Sequence, residues 1–213
     1  LRTALSTTRS LSSDPSSLLP VDFTLGAFRR VLGLATQEEA IAEGGSGASV
    51  NFWLYLRNSV IYAGAVTIGQ VFFSAMAAYA FARLRWPGRN VWFLILIATM
   101  MLPGQVTMIP VYVVYSKIGW VNTFLPLTVP AFTGDAFFIF LMRQHMRGIP
   151  MELSEAARID GAGELRIWWE IITPLVKPVM AVIAIFTFQG AWEDFMGPLL
   201  YLQREEKYTL QLG

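Results

Sequence analysis

The sequence predicts an all-α fold, a polytopic bundle of membrane-crossing helices. Three observations carry that prediction. Of the 213 residues, 54% are hydrophobic and only 15% charged, too apolar for an ordinary water-soluble domain. Uncharged stretches about as long as a bilayer is thick recur from Ser59 onward. The links between them alternate between arginine-rich and nearly uncharged, the pattern of a chain that keeps its basic loops on the cytoplasmic side.

The first part, residues 1–57, is polar or mixed and is expected to be an extracytoplasmic loop segment. Leu1 to Ser17 is rich in Ser and Thr and lacks the basic-then-apolar order of a signal peptide. A short amphipathic run follows around Val21 to Leu34, and Gly44-Gly45-Ser46-Gly47 predicts a flexible loop. The absence of an initial methionine and the end at Gly213 lead us to expect a piece of a longer chain.

Residues 58–213 are expected to form the membrane domain. Its first span, about 58–82, contains Ser59 to Ala82 without a charge, long enough as a helix for a ~30 Å hydrocarbon layer. Ser74, Ala78 and Ala82 form either a small-residue stripe for close helix approach or an incidental run of alanine-rich sequence. The second span, 91–115, is interrupted by Pro103-Gly104-Gln105 and again by Pro110. Pro103 marks either a break lining a polar pathway or a helix end near the interface. The third span, 121–142, carries a single charge, Asp135, read either as a pathway carboxylate or, with Thr133-Gly134, as a kink. The fourth runs over 175–192.

Arg83, Arg85 and Arg89 in the first link, and Arg143, Arg147, Arg158, Arg166 and Lys177 in the third, place both on the cytoplasmic side, while the second link holds only Lys117. A net charge of +1 gives no case for nucleic acid as a partner. Cysteine is absent, which excludes disulfides and thiolate metal sites. His145, the lone histidine, lies between Arg143 and Arg147 and reads as a solvated residue rather than part of a metal site.

The loop 143–174 has the richest pattern. Pro150 suits a first helical turn, Gly161 and Gly163 can end that helix, and Glu164 to Ile172 forms a second. On the second, Leu165, Trp168, Trp169 and Ile172 are spaced to share an apolar face; Leu153, Ala156 and Ala157 make a smaller stripe on the first. Ala156 and Ala157 keep the first helix slim, Glu155 and Arg158 are placed to pair across one turn, and Gly161 permits a tight turn that a side chain would obstruct. Such a helical hairpin suits either a knob that enters a partner's groove or an amphipathic element lying on the membrane surface.

Glu155-Ala156-Ala157, Asp160-Gly161-Ala162 and then Ile171, Pro174 and Pro178 resemble the EAA loop of binding-protein-dependent carbohydrate ABC importer permeases, of the second-permease type of the maltose transporter. Asn58-Ser59, Ala78 to Arg83, Pro103 with Pro110 and Tyr112, Gly119 with Asn122-Thr123, Trp192 to Phe195 and Tyr208-Thr209-Leu210 agree in order. The resemblance implies a type I importer permease with the first and last of six spans missing. It implies a second homologous permease subunit, two cytoplasmic ATPase subunits, an extracytoplasmic solute-binding protein, a sugar substrate and a bacterial inner membrane. Glu155, Ala156, Ala157, Asp160, Gly161 and Ala162 are, by that resemblance, the ATPase-coupling residues. Glu193 occupies a position where the family commonly has asparagine.

No Gly-rich Lys-Ser/Thr nucleotide loop occurs in the sequence, so ATP and Mg are expected on the partner ATPase, with no cofactor in this chain. A hydrolytic enzyme would need a base to activate Ser59 or Ser74, and apart from Lys177 at the cytoplasmic start of the fourth span no span contains histidine or lysine. A secondary transporter or channel would rest on Asp135 alone. Gln70, Ser74, Gln105, Thr107 and Gln189 are candidate pathway residues, able to meet sugar hydroxyls or to bond another helix.

Overall fold

The computed structural model describes residues 24–34 and 51–213. The expectations for Leu1 to Ser17 and for Gly44 to Gly47 lie outside the described residues. Among the described residues every regular element is helical: α1 (Gly26–Val31), α2 (Phe52–Arg83), α3 (Arg89–Thr99), α4 (Gly104–Lys117), α5 (Leu125–Thr128), α6 (Ala136–Arg147), α7 (Glu152–Ile159), α8 (Glu164–Arg166), α9 (Thr173–Trp192) and α10 (Met196–Tyr201). Phe52–Arg83, Leu125–Arg147 and Glu164–Trp192 are long and apolar enough to cross a membrane, and α3 with α4 makes a fourth crossing if the bent pair counts as one.

Four boundaries differ from expectation, each for a local reason. First, α2 starts at Phe52, so the expected boundary at residue 57 falls inside a helix. Arg57 is exposed there while Tyr55 and Asn58 turn inward, so one charge on the outer face does not end the helix. Second, the span 91–115 is two helices bent by 98°. Pro103, extended at φ −64 and ψ 130, caps α4 and sets the break, whereas Pro110 sits inside α4 without ending it, at the cost of one hydrogen-bond rung.

Third, the span 121–142 is not one helix. A 3-10 turn, Val129–Thr133, follows α5, and Gly134 then takes φ +78, a left-handed conformation that suits glycine. Asp135 caps α6, its Oδ1 accepting from the Phe137 and Phe138 amides at 2.8 and 3.3 Å. The carboxylate is therefore an N-cap at a kink, the second of its two readings. Fourth, α8 runs without a break through a π-helical stretch, Ile167–Ile172, into α9. Pro174 can supply no N–H to the ladder at this join, and the Thr173 hydroxyl donates to the Trp168 carbonyl at 2.7 Å.

The bundle is built around α2, which packs against α6 and α9. Ala75, Ala78 and Tyr79 meet Ile139, Met142 and Met146 on one side and Ile172, Val176 and Ile183 on the other, all buried. Ser74 and Ala78 are fully buried, and a Cβ on Gly134 would lie 3.3 Å from the Ser74 hydroxyl. The small-residue stripe thus serves close approach. By contrast, α3 and α4 bury no residue within the chain.

Candidate functional site

The hairpin expected over 143–174 is α7, a turn, and the α8 to α9 continuum. Its turn follows from backbone chemistry. The Gly161 amide donates to the Arg158 carbonyl at 3.0 Å and the Ala162 amide to that of Ala157 at 2.9 Å, the paired bonds of a Schellman ending. Gly161 takes φ +82, while nothing lies within 4 Å of where its Cβ would be. Glycine is therefore favoured by the torsion angle, and the expected obstruction by a neighbour is absent.

Two groups of α2 clamp the hairpin base, and an ion pair within the hairpin closes it. Arg83, only 3% exposed, donates to the carbonyls of Ile149 at 2.7 Å and Pro150 at 3.2 Å, where α6 turns into α7. The Tyr79 hydroxyl donates to Glu164 Oε2 at 2.6 Å. Arg158 Nε donates to Glu164 Oε1 at 2.7 Å, and its Nη2 to Oε2 at 3.3 Å. This bond and the charge beside it raise the Arg158 pKa above its ordinary value. Arg158 therefore pairs with Glu164 across the turn and not with Glu155, as expected from spacing, because the turn brings a two-oxygen acceptor to the planar guanidinium. Glu155 is exposed and borders a cavity of about 490 Å³ with Arg83, Arg85 and Arg158.

The six residues singled out on the hairpin divide into two sets. Glu155, Ala156, Asp160 and Gly161 are exposed, while Ala157 is buried and Ala162 half-buried against the core. The apolar faces also differ from expectation. Ser154 and Ala157 form the inward face of α7, leaving Leu153 exposed, and Ile167, Trp168 and Ile172 are buried while Leu165 and Trp169 are exposed. A π turn pairs residues five apart, which sets Ile167 over Ile172. Leu153, Ile159, Leu165 and Trp169 are therefore left exposed on the hairpin, Ile159 at 87%.

The five pathway candidates do not gather at one place. Gln70 and Ser74 are buried and bonded to each other, Nε2 to Oγ at 2.8 Å. Gln105 and Thr107 are exposed on α4, where the Thr107 hydroxyl donates to the Gly104 carbonyl at 3.0 Å. Gln189 is exposed on α9 and donates to Glu193 at 3.3 Å.

Sequence reasoning missed a second polar cluster at the other end of α2. Asn58 Nδ2 donates to the carbonyls of Glu206 and Tyr208 at 2.9 and 3.0 Å. Ser59 Oγ accepts the Leu210 amide at 2.8 Å, and Tyr55 donates to Glu205 at 2.7 Å. Tyr62 donates to Asp194 Oδ2 at 2.8 Å. Asn122, at φ +62, accepts from the Gln203 and Arg204 amides through its side chain and from Lys207 through its carbonyl. The available signal was the cluster of amide and hydroxyl residues at one end of an apolar helix. Glu193, the departure noted above, is exposed; Asp194 makes the structural bonds.

Comparison with known proteins follows the same outline. Residues 70–209 match the family model described as binding-protein-dependent transport system inner membrane component. The chain is 34% identical over 162 residues to the arabinooligosaccharides transport system permease protein AraQ of Halalkalibacterium halodurans, covering 76% of this chain and 58% of that one. It is 38% identical over 152 residues to the sn-glycerol-3-phosphate transport system permease protein UgpE of Yersinia enterocolitica, covering 71% and 54%. The chain thus spans little more than half the length of these relatives. Its fold superposes on a chain of a bacterial ABC transporter involved in the import of the acidic polysaccharide alginate, with TM-score 0.83 and 28% identity, over 99% of this chain and 69% of that one.

Proposed function

This chain belongs to the family of binding-protein-dependent transport system inner membrane components, and from that premise we propose that it is a permease subunit of an ATP-driven importer. In this reading the helices form part of a translocation pathway through the lipid bilayer, beside a second homologous permease subunit. Two cytoplasmic ATPase subunits bind ATP and Mg and perform hydrolysis; this chain is a transport subunit without catalysis of its own. A solute-binding protein outside the membrane delivers the cargo. The cargoes named for the two relatives, arabinooligosaccharides and sn-glycerol-3-phosphate, share a polyhydroxylated carbon chain, and we assign cargo of that class, foremost a sugar.

The observation that supports coupling is the hairpin's construction. Its base is held by Arg83, Tyr79 and the Arg158–Glu164 pair, while Ile159, Leu165 and Trp169 are left exposed, large apolar side chains available for a protein contact. In this proposal the hairpin faces the cytoplasm, as the surrounding arginines direct, and its exposed Glu155, Ala156, Asp160 and Gly161 meet the ATPase. A push on the tip then reaches α2 through the Arg83 clamp and α9 through the continuous α8 to α9 helix. Two rigid elements move together, which is how ATPase closure switches access from one side of the membrane to the other.

Substituting Glu155→Lys or Gly161→Trp is expected to abolish cargo uptake and cargo-stimulated ATP hydrolysis while the protein still inserts in the membrane. Normal uptake by both variants would overturn the coupling role. Affinity isolation from native membranes tests the assembly, since an ATPase and a second permease must be recovered with the chain.

A further inference from the structure

The link between α2 and α3 borders two cavities that share one side chain. The first is a cavity of about 360 Å³ lined by Arg85, Trp86, Arg89 and Asn90 at the start of α3. The second, about 420 Å³, runs along α3 between Phe81, Trp86, Trp92, Ile95 and Leu96, and its lining is almost wholly apolar. Trp86 borders both. Its ring packs on Phe81 with centroids 5.7 Å apart, and its indole N–H donates to the Ala80 carbonyl at 3.3 Å, so it divides a basic mouth from an apolar stem.

The charges favour one kind of occupant. No acidic residue occurs between Glu43 and Asp135, so the mouth is lined by two arginines without a carboxylate from their own segment. Arg89 gives one N–H to the Leu84 carbonyl at 2.8 Å and keeps its other donors. Arg85 also borders the cavity that contains Glu155 and Glu164, but Glu164 is already held by Arg158. On α3, Trp92 and Ile95 are exposed. A ligand that satisfies both parts has an anionic head and a hydrocarbon tail, and basic recesses between helices at the cytoplasmic surface hold anionic headgroups in this way.

We propose that the two cavities act as one groove and bind one anionic phospholipid, with its phosphate on Arg85 and Arg89 and one acyl chain along α3 beneath Trp86. The site goes beyond the importer reading and requires only that α2 and α3 lie in a bilayer. Occupancy ties the ends of the two helices together through a molecule of the membrane itself, and it gives α3, which buries no residue within the chain, a further neighbour.

The test is quenching of Trp86 and Trp92 fluorescence by brominated lipid. The full-length protein, with its associated subunits, is placed in phosphatidylcholine nanodiscs doped with either brominated phosphatidylglycerol or brominated phosphatidylcholine. The signal of the W86F/W92F variant is subtracted to remove the other tryptophans. One arginine near a headgroup favours an anionic lipid by about fivefold, so phosphatidylglycerol is expected to half-quench at a mole fraction roughly fivefold or more below phosphatidylcholine. R85A/R89A is expected to abolish the preference and R85K/R89K to retain most of it. Equal quenching by both lipids would show ordinary bulk lipid against an apolar face, and quenching by neither would show the groove covered by protein; each overturns the proposal. Should R85A/R89A fail to assemble, the wild-type comparison of the two lipids decides alone. Uptake is not the readout, so failure here leaves the importer reading intact.

Discussion

The two ends of α2 are fastened to distant parts of the chain by the same device, side chains of the helix hydrogen-bonded to another segment, but they use it differently. At the tail end Tyr55, Asn58, Ser59 and Tyr62, all buried, lie at i, i+3, i+4 and i+7 and seam one helix face to residues 194–210. The donors are neutral and the tail is held along its length. At the hairpin end two points, Tyr79 and Arg83, grip only the base of the hairpin, and charge replaces number. Beyond the grip the hairpin projects with Ile159 almost wholly exposed. A seam closes a surface, whereas a clamp with a free tip leaves an element that a partner can press, the lever of the proposed function, and this chain has a seam and a clamp on a single helix.

The largest expected effect breaks the clamp. Arg83→Ala removes three bonds from a buried guanidinium, one of them to the Met151 sulfur, and leaves the Ile149 and Pro150 carbonyls short of partners, at a cost of about 3 kcal/mol. Limited proteolysis of the full-length protein should show cleavage within 149–165 much faster than wild type, with the tail unaffected because distant sites act independently. Arg83→Lys should restore part of the protection, since one ammonium reaches fewer of the acceptors. Unchanged cleavage in Arg83→Ala would show that the hairpin is held by its apolar packing instead.

Next in size is the seam. Asn58→Ala strips the Glu206 and Tyr208 carbonyls of a shared donor in a buried position, worth about 1–2 kcal/mol. Hydrogen exchange of the amides over 205–210 should accelerate by roughly tenfold while the hairpin keeps its protection. If both regions loosen together, α2 carries strain from end to end and the contrast between seam and clamp is wrong. A smaller loss belongs to Gly161→Ala. No atom obstructs the new methyl, so only the left-handed backbone is penalised, by about 1 kcal/mol, and Gly161→Asn should cost less than Gly161→Ala because asparagine tolerates that region. Thermal unfolding of the two variants side by side gives the order.

How far the sequence foretold these regions depends on the range of the interactions involved. The uncharged run Ser59 to Ala82 was legible because length and hydropathy are local. The start of α2 at Phe52 was not, since it rests on Tyr55 and Asn58 meeting a tail about 150 residues later. The hairpin was legible in outline from Pro150 and the two glycines. Its faces were misassigned because a period of 3.6 was applied through Ile167–Ile172, where the turns are π-helical. Arg158 was given Glu155 as partner for the same reason: spacing along one helix is visible in a sequence, and the fold of the turn that delivers Glu164 is not. Asp135 held a readable signal, an aspartate just before an apolar run, which its place inside an apolar stretch obscured.

The smallest expected effect on stability is the sharpest test of the lever. Ile159 is 87% exposed and belongs to neither the clamp nor the core. Ile159→Ser should therefore leave unfolding within about 0.5 kcal/mol of wild type, as surface substitutions do. If the tip exists to be pressed by a partner, the same variant should lower cargo-stimulated ATP hydrolysis several-fold in the reconstituted assembly, a loss with no structural cause inside this chain. The pairing of results matters more than either alone. Arg83→Ala should reduce coupling and loosen the hairpin; Ile159→Ser should reduce coupling with the hairpin intact. A stable Ile159→Ser protein with full coupling would mean that the tip touches nothing that drives transport, and that force enters through Glu155 and the base of α7 instead.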